Sequence, residues 1–302
     1  MTSLTRKAVI DAHPWLKDRC RPMVISTGLD GLLAAAFLHH YLEWQVAGYY
    51  DGASLWLSDQ ALENREGLIW VDLDICRPKS RSIGHHILSP TGNIPSTLAQ
   101  NCNPNLLAGI GADSPARRYP YSTIIFLLWL HNIPVQRNLV ARLLVLHAKA
   151  VWMNLQREAG NCIQWQERLP GYDWAWLFSK VDTELFERRL RDQLYAPLQH
   201  LVSLEMSGRG RSRHLQLRNG QFSFNPDWDE DVFLKLGGFI GTHLKWSPPH
   251  PPVLTRRIDA QLQTASLESF RDEDFPTSLV HRGVFSYTIS PRNKVNFALI
   301  NF

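Results

Sequence analysis

Two adjacent imidazoles, His85 and His86, follow three carboxylates, Asp30, Asp72 and Asp74. Carboxylate oxygens and imidazole nitrogens together make the ligand set that hard or borderline divalent ions such as Mn²⁺ accept. An ion held in this way lowers the pKa of a bound water and makes it a nucleophile near neutral pH. Taken singly the pieces say little: a His-His pair recurs by chance, Asp30-Gly31 is ordinary turn chemistry, and Asp72 or Asp74 alone serves as a cap. Their order, and the kind of element expected at each, gives them meaning.

The elements that would position them are legible. Met23 to Ile25 is a short apolar run, a Gly-containing turn follows, and Leu29 to Leu38 is rich in Ala and Leu. This pattern predicts strand, tight loop and helix, with Asp30 at the turn. Gly67 to Asp74 is a continuous apolar run closing in carboxylates, as a buried parallel strand does at the ligand-bearing edge of an open sheet. Gly84-His85-His86 follows a short connection rich in Arg and Lys.

In these three segments the first half of the chain resembles the DHH phosphoesterase superfamily, named for its Asp-His-His signature. Its first motif is a His followed by Asp-x-Asp-Gly, and Gly28-Leu29-Asp30-Gly31 keeps the second Asp and the Gly. Its second is an Asp at a strand end, matched by Asp72 with Asp74 as a competing match; its third is matched by Gly84-His85-His86. A fourth Asp would fall near Leu146-His147-Ala148-Lys149-Ala150, where the nearest replacement is Lys149.

The resemblance implies a Mn²⁺ site built from Asp30, Asp72, Asp74, His85 and His86, with Asp72 and His85 catalytic. It implies hydrolysis of a phosphodiester in a nucleotide or a single-stranded nucleic-acid end. The departures favour an alternative: a catalytically inactive relative that binds a phosphorylated small molecule, a nucleic acid or a protein partner. With one ion's carboxylates gone, a lysine entering the site would neutralise a phosphate and oppose a metal by like-charge repulsion. A third reading is an interaction protein that docks a partner through a Trp-rich surface.

Composition sets the class. The chain has 302 residues, 44% hydrophobic and 20% charged, which describes an ordinary globular protein of one large or two modest domains. A net charge of +4 permits anionic ligands without requiring them. Arg209, Arg211 and Arg213 lie in a Gly/Ser-interrupted loop suited to phosphate contact, or to a solvated hairpin tip. Trp165, Trp174 and Trp176 cluster and are expected in a core. The four cysteines lack a Cys-x-x-Cys pair, so a reducing cytoplasm is expected. No run of apolar residues is long enough to span a bilayer, and Thr123 to Leu130 reads as a buried helix.

The expected fold is α/β: a mostly parallel sheet with flanking helices over residues 1–205, then a smaller, strand-rich α+β domain over residues 206–302. Ser122 and Thr123 open a helix whose N-terminus would take a cap or a phosphate. Val135 to Leu155 reads as one helix or a helix pair, and His214 to Phe224 as a hairpin turning at Asn219-Gly220. Gly237, Gly238 and Gly241 are expected at a tight turn or a close backbone approach. Val284 to Ile289 and Val295 to Ile300 read as a closing strand pair.

Overall fold

Seven strands form one sheet in the computed structural model, which describes residues 3–201, 210–218, 221, 223–227, 230–270, 275–290 and 292–302. They are β1 (Pro22–Ser26), β2 (Gln45–Tyr50), β3 (Ser54–Leu57), β4 (Ile69–Val71), β5 (Arg81–Ile83), β6 (Asn101–Cys102) and β7 (Arg256–Asp259), in the order β6-β5-β4-β1-β2-β3-β7. From β6 to β2 the strands run parallel, whereas β3 and β7 add antiparallel at one edge. The α/β architecture expected from the sequence is therefore present.

Both faces of the sheet are buried, which is why its central strands read as unbroken apolar runs. Side chains alternate between two cores: Met23, Ile25, Ile69 and Val71 enter the helix-side core, while Val24 and Trp70 enter the other. On the helix side lie α1 (Leu29–Leu42) and α2 (Thr123–His131), packed against each other. Every residue from Leu29 to Leu38 and from Thr123 to Leu130 is buried, so neither helix keeps a polar face in its buried stretch. Trp165 and Trp174 are buried beside them, and Trp176 packs partly buried against the same core.

The expected helical stretch after residue 135 resolves into α3 (Leu139–His147) and α4 (Val151–Arg157). Between them Lys149 and Ala150 both take left-handed backbone angles, with φ of 51° and 52°. Two consecutive non-glycine residues in that region cost conformational energy that surrounding contacts must hold in place. The kink turns Lys149 toward the strand ends described below.

A second sheet is antiparallel and three-stranded: β8 (Gln261–Ser266), β10 (Lys294–Leu299) and β9 (Val284–Ile289), in that order. The closing strand pair expected at the C-terminus is thus observed. Trp70 joins the two sheets, meeting Phe285 edge-to-face with ring centroids 5.2 Å apart. The segment from 210 to 259 works with the first sheet: α5 (Glu184–Leu190) anchors its start, α6 (Glu230–Leu244) packs on α1 and α3, and β7 pairs with β3. The small separate sheet starts only at Gln261.

Two local expectations change. The Asn219-Gly220 turn lies outside the described residues, and among the described residues that flank it no hairpin ladder is seen. Glu187 on α5 takes the N–H groups of His214 and Leu215, at 3.2 and 2.8 Å, and Phe224 donates its N–H to the Thr27 carbonyl. Those backbone donors are spent elsewhere, so Ser223 bridges to Gly28 instead. Gly237, Gly238 and Gly241 lie inside α6 rather than in a turn; Gly237 and Gly241 allow close approach of the Trp246–Pro248 segment.

Among the described residues no helix is long and apolar enough to cross a membrane. Replacing Trp70 by Ala removes the ring that bridges the two sheets and should cost about 3–5 kcal/mol in urea unfolding. A loss below about 1 kcal/mol would show that the second sheet is held by other contacts.

Candidate functional site

Strands β2 and β4 lie on opposite sides of β1, so the chain reverses its direction of travel across the sheet at β1 and β4. Ligands of open α/β sheets bind at such a switch point, beyond the carboxyl ends of the strands. Ser26 ends β1 there, Thr27 and Gly28 follow it, and Asp72 to Asp74 follow β4.

Asp30 stands in the first turn of α1, buried, and reaches across to the N-terminus of α2. Its two oxygens accept the N–H groups of Thr123 and Ile124, at 2.8 and 2.9 Å. Ser122 caps the same helix through Ile125 N–H. A helix N-terminus attracts negative charge, and here the protein supplies that charge itself. The phosphate position considered at this helix is therefore filled by Asp30, and the capping role of Ser122 holds.

Asp72 follows β4 in a left-handed conformation, φ 58°, which Asp tolerates better than most residues. Its carboxylate accepts the hydroxyls of Ser26 and Thr123, the latter at 2.8 Å, and lies 3.7 Å from the Lys149 ammonium. Thr123 Oγ1 also meets His85 Nδ1 at 3.0 Å. Burial alone would raise the Asp72 pKa, but Lys149, His85 and the two hydroxyls hold it down to about 2. The burial of Asp30 and the neighbouring Asp72 charge push the Asp30 carboxyl well above its usual value. Burial likewise favours a neutral Lys149, yet Asp72, Asp30 and Asp74 outweigh it and keep the ammonium above the ordinary lysine value. His85, desolvated and beside His86 and Lys149, is pushed down to about 3 and is a neutral imidazole.

Asp74 and His86 form a separate pair. Asp74 Oδ2 accepts the His86 backbone N–H at 3.1 Å and meets its ring Nδ1 at 2.9 Å, while Asn103 Nδ2 donates to Asp74 Oδ1 at 2.9 Å. Asn103 and Asn105 also hold the carbonyls of His86 and His85, at 2.9 and 2.8 Å. A Cβ at position 84 would overlap the Asp74 carboxylate. Gly84 and the second carboxylate after β4 are thus coupled: Asp74 fills the space that a side chain at 84 would need.

Asp72, Asp74, His86 and Lys149 face a cleft of about 660 Å³ that is also lined by Ser26, Thr27 and Gly28. Its opposite wall is one face of the three-stranded sheet, including Thr264, Thr288 and Asn296. Of the three loop arginines, Arg209 lies outside the described residues. Arg213 pairs with Asp182 at 2.6 Å, and neither Arg211 nor Arg213 lines the cleft. Sequence reasoning reached Lys149 through a missing fourth Asp. It passed over Ser26, Asn103 and Asn105, because nothing in their spacing marks a side chain that binds across strands.

Asp30, Asp72 and His85 each offer a ligand atom within 4.8 Å of the other two, and this buried group could hold one metal ion. No second group of three such side chains gathers among the described residues, so the donor set fits one ion and not two. Asp74 and His86, expected as further ligands, are committed to each other instead. Comparison with protein-family models, with curated proteins and with solved structures finds no match.

Two outcomes follow. Gly84→Ala should destabilise by about 1–3 kcal/mol through overpacking, and Asp74→Gly in the same chain should recover part of that loss. Additive losses in the double variant would mean that the two positions do not share one space. Stability should also fall with acid earlier than carboxylates dictate. Burial lowers His85 and His147 to about 3 and His131 to about 4, so below about pH 6.5 only the unfolded chain takes up their protons. Each costs up to about 1.4 kcal/mol per pH unit down to its folded pKa. The Asp72 contribution, present above its unfolded pKa, is lost only as pH falls toward about 2. His131 Nε2 has no hydrogen-bond partner among the described residues. His131→Phe should therefore flatten the decline between pH 6.5 and 4.5 in urea titrations, and an unchanged slope would contradict the assignment.

Proposed function

We propose that this chain is a DHH-like protein whose cleft binds a phosphorylated ligand, a nucleotide or a single-stranded nucleic-acid end, with Lys149 as its resident cation and without two-metal hydrolysis. The observation that carries this reading is the Lys149 ammonium 3.7 Å from Asp72 Oδ2, at the strand end where the resemblance puts the metals. Two unit charges 4 Å apart interact by about 4 kcal/mol at an effective dielectric of 20. An ammonium there opposes a divalent ion and attracts a phosphate oxygen. The bonding of the carboxylates supports the same reading. Asp30 is engaged by two backbone N–H groups, Asp72 by two hydroxyls, and Asp74 by His86 and Asn103. Such a network is satisfied without an added ion. The cleft volume falls within the roughly 300–1,000 Å³ usual for a small-ligand site.

A second reading is a phosphodiesterase that uses one Mn²⁺ on Asp30, Asp72 and His85. The convergence of those three donors favours it. Bound there, the ion would supply a Lewis acid and an activated water, while Lys149 and His86 would meet the phosphate in the cleft.

Calorimetry on chelator-stripped protein separates the two. On the first reading a nucleoside monophosphate binds without metal, Lys149→Met weakens it by at least about tenfold, and Mn²⁺ gives no saturable binding until Lys149→Asp supplies a carboxylate. Saturable Mn²⁺ binding by the unaltered chain, lost in Asp72→Asn and accompanied by phosphodiester turnover, would overturn it in favour of the second.

A further inference from the structure

The cleft does not end at the site. It shares His86, Lys149, Gln221 and Thr288 with a second depression of about 350 Å³ that runs beside His85 to Arg118. That depression shares Pro115 and Arg118 with a third, of about 490 Å³, bordered by Arg157, Glu158 and Gly160. The three depressions adjoin in series, from the face of the three-stranded sheet past Lys149 to the C-terminal end of α4, and together outline a groove. Its volume is more than one nucleotide needs, since the first depression alone suits a drug-sized ligand.

The groove is chemically asymmetric. Along the sheet its wall is neutral and carries hydroxyl and amide groups: Thr264 donates to Asn296 Oδ1 at 2.9 Å, and among the described residues the Asn296 Nδ2 donors are left for a ligand. At the far end it is basic. Arg118 pairs with Glu158 at 2.6 Å, and Arg157 donates to the Arg211 carbonyl at 2.5 Å and has no acidic partner among the described residues. Amides read base edges, whereas arginines hold phosphates and add salt-dependent affinity.

We propose that the groove carries a single-stranded oligonucleotide of several residues through the site, with Arg118 and Arg157 forming a second phosphate subsite beyond Lys149. The proposal rests on the phosphate-binding reading above and extends it from one phosphate to a strand. A bare polyphosphate would make no use of the neutral amide wall.

Binding is measured on the full chain, with metal chelated, using 5′-phosphorylated thymidylates of two and about twelve residues, a span within the usual single-strand site sizes. The longer strand should bind about 10- to 100-fold more tightly. Its salt dependence should be steeper, by about 0.7 in log–log slope for each added phosphate contact. Arg157→Gln and Arg118→Gln should reduce the ratio of the two affinities severalfold, whereas Arg189→Gln, on the solvated face of α5, should leave it unchanged. A Lys149-sensitive dinucleotide with no gain on lengthening would overturn the strand proposal and leave the phosphate reading standing. A gain that ignores both arginine variants would overturn the second subsite. Equal competition by polyphosphate of matched length would overturn the nucleic-acid assignment. Binding of neither strand, with Lys149→Met without effect on a nucleoside monophosphate, would overturn both readings together.

Discussion

A buried, ionised Asp72 is the constraint around which the rest of the site is arranged. A carboxylate removed from water is costly unless it is paired and hydrogen-bonded. Asp72 meets that cost with one cation and two hydroxyls drawn from three parts of the chain: Lys149 from the α3–α4 kink, Ser26 from the end of β1, and Thr123 from the start of α2. The left-handed backbone at Asp72, Lys149 and Ala150 is local strain concentrated at these positions. Apolar packing in place of a buried ion pair is often at least as stable, so stability alone does not account for a polar cluster at these strand ends.

The carboxylates have diverged in what they do. Asp30 serves the positive end of α2 and ties α1 to it, which makes it part of the scaffold as well as of the site. Asp74 orients His86 and, through Asn103, fixes the turn that carries both imidazoles. A site assembled for two metals would leave carboxylate oxygens facing a common void. Here they are bonded to N–H groups, hydroxyls and an ammonium, and His86, Lys149 and the loop from Ser26 to Gly28 line the cleft beside Asp72 and Asp74. The positive charge beside these carboxylates is supplied by the chain itself, as the Lys149 ammonium.

The second sheet completes the site by position alone. Trp70 and Phe285 lock its inner face to the back of the main sheet, and β9 is held to the segment after β4 through the Cys76 N–H and the Phe285 carbonyl. The strand that donates packing to one core therefore presents Ser286 and Thr288 to the cleft on its other face, by the two-residue alternation of a β-strand. Site and wall are held by the same hydrophobic contact.

By itself the sequence determined which stretches are strands and helices around β1, β4, α1 and α2, because an element buried on all sides must be apolar throughout. It also placed Asp72 and Asp74 at the end of a strand, Asp30 at the turn that follows another, and His85 and His86 after a short connection. Tertiary structure decided how those groups are divided: Asp30 with a helix end, Asp72 with Lys149 and His85, Asp74 with His86. It also decided that the loop around Arg213 turns to Asp182 and Glu187 instead of to the cleft. The reason is physical. Strand and helix periodicity acts between near neighbours and is written into residue order. The partner of a buried charge is set by which distant segments the fold brings within 3 or 4 Å, as with the 77 positions that separate Asp72 from Lys149, and no local pattern encodes that distance.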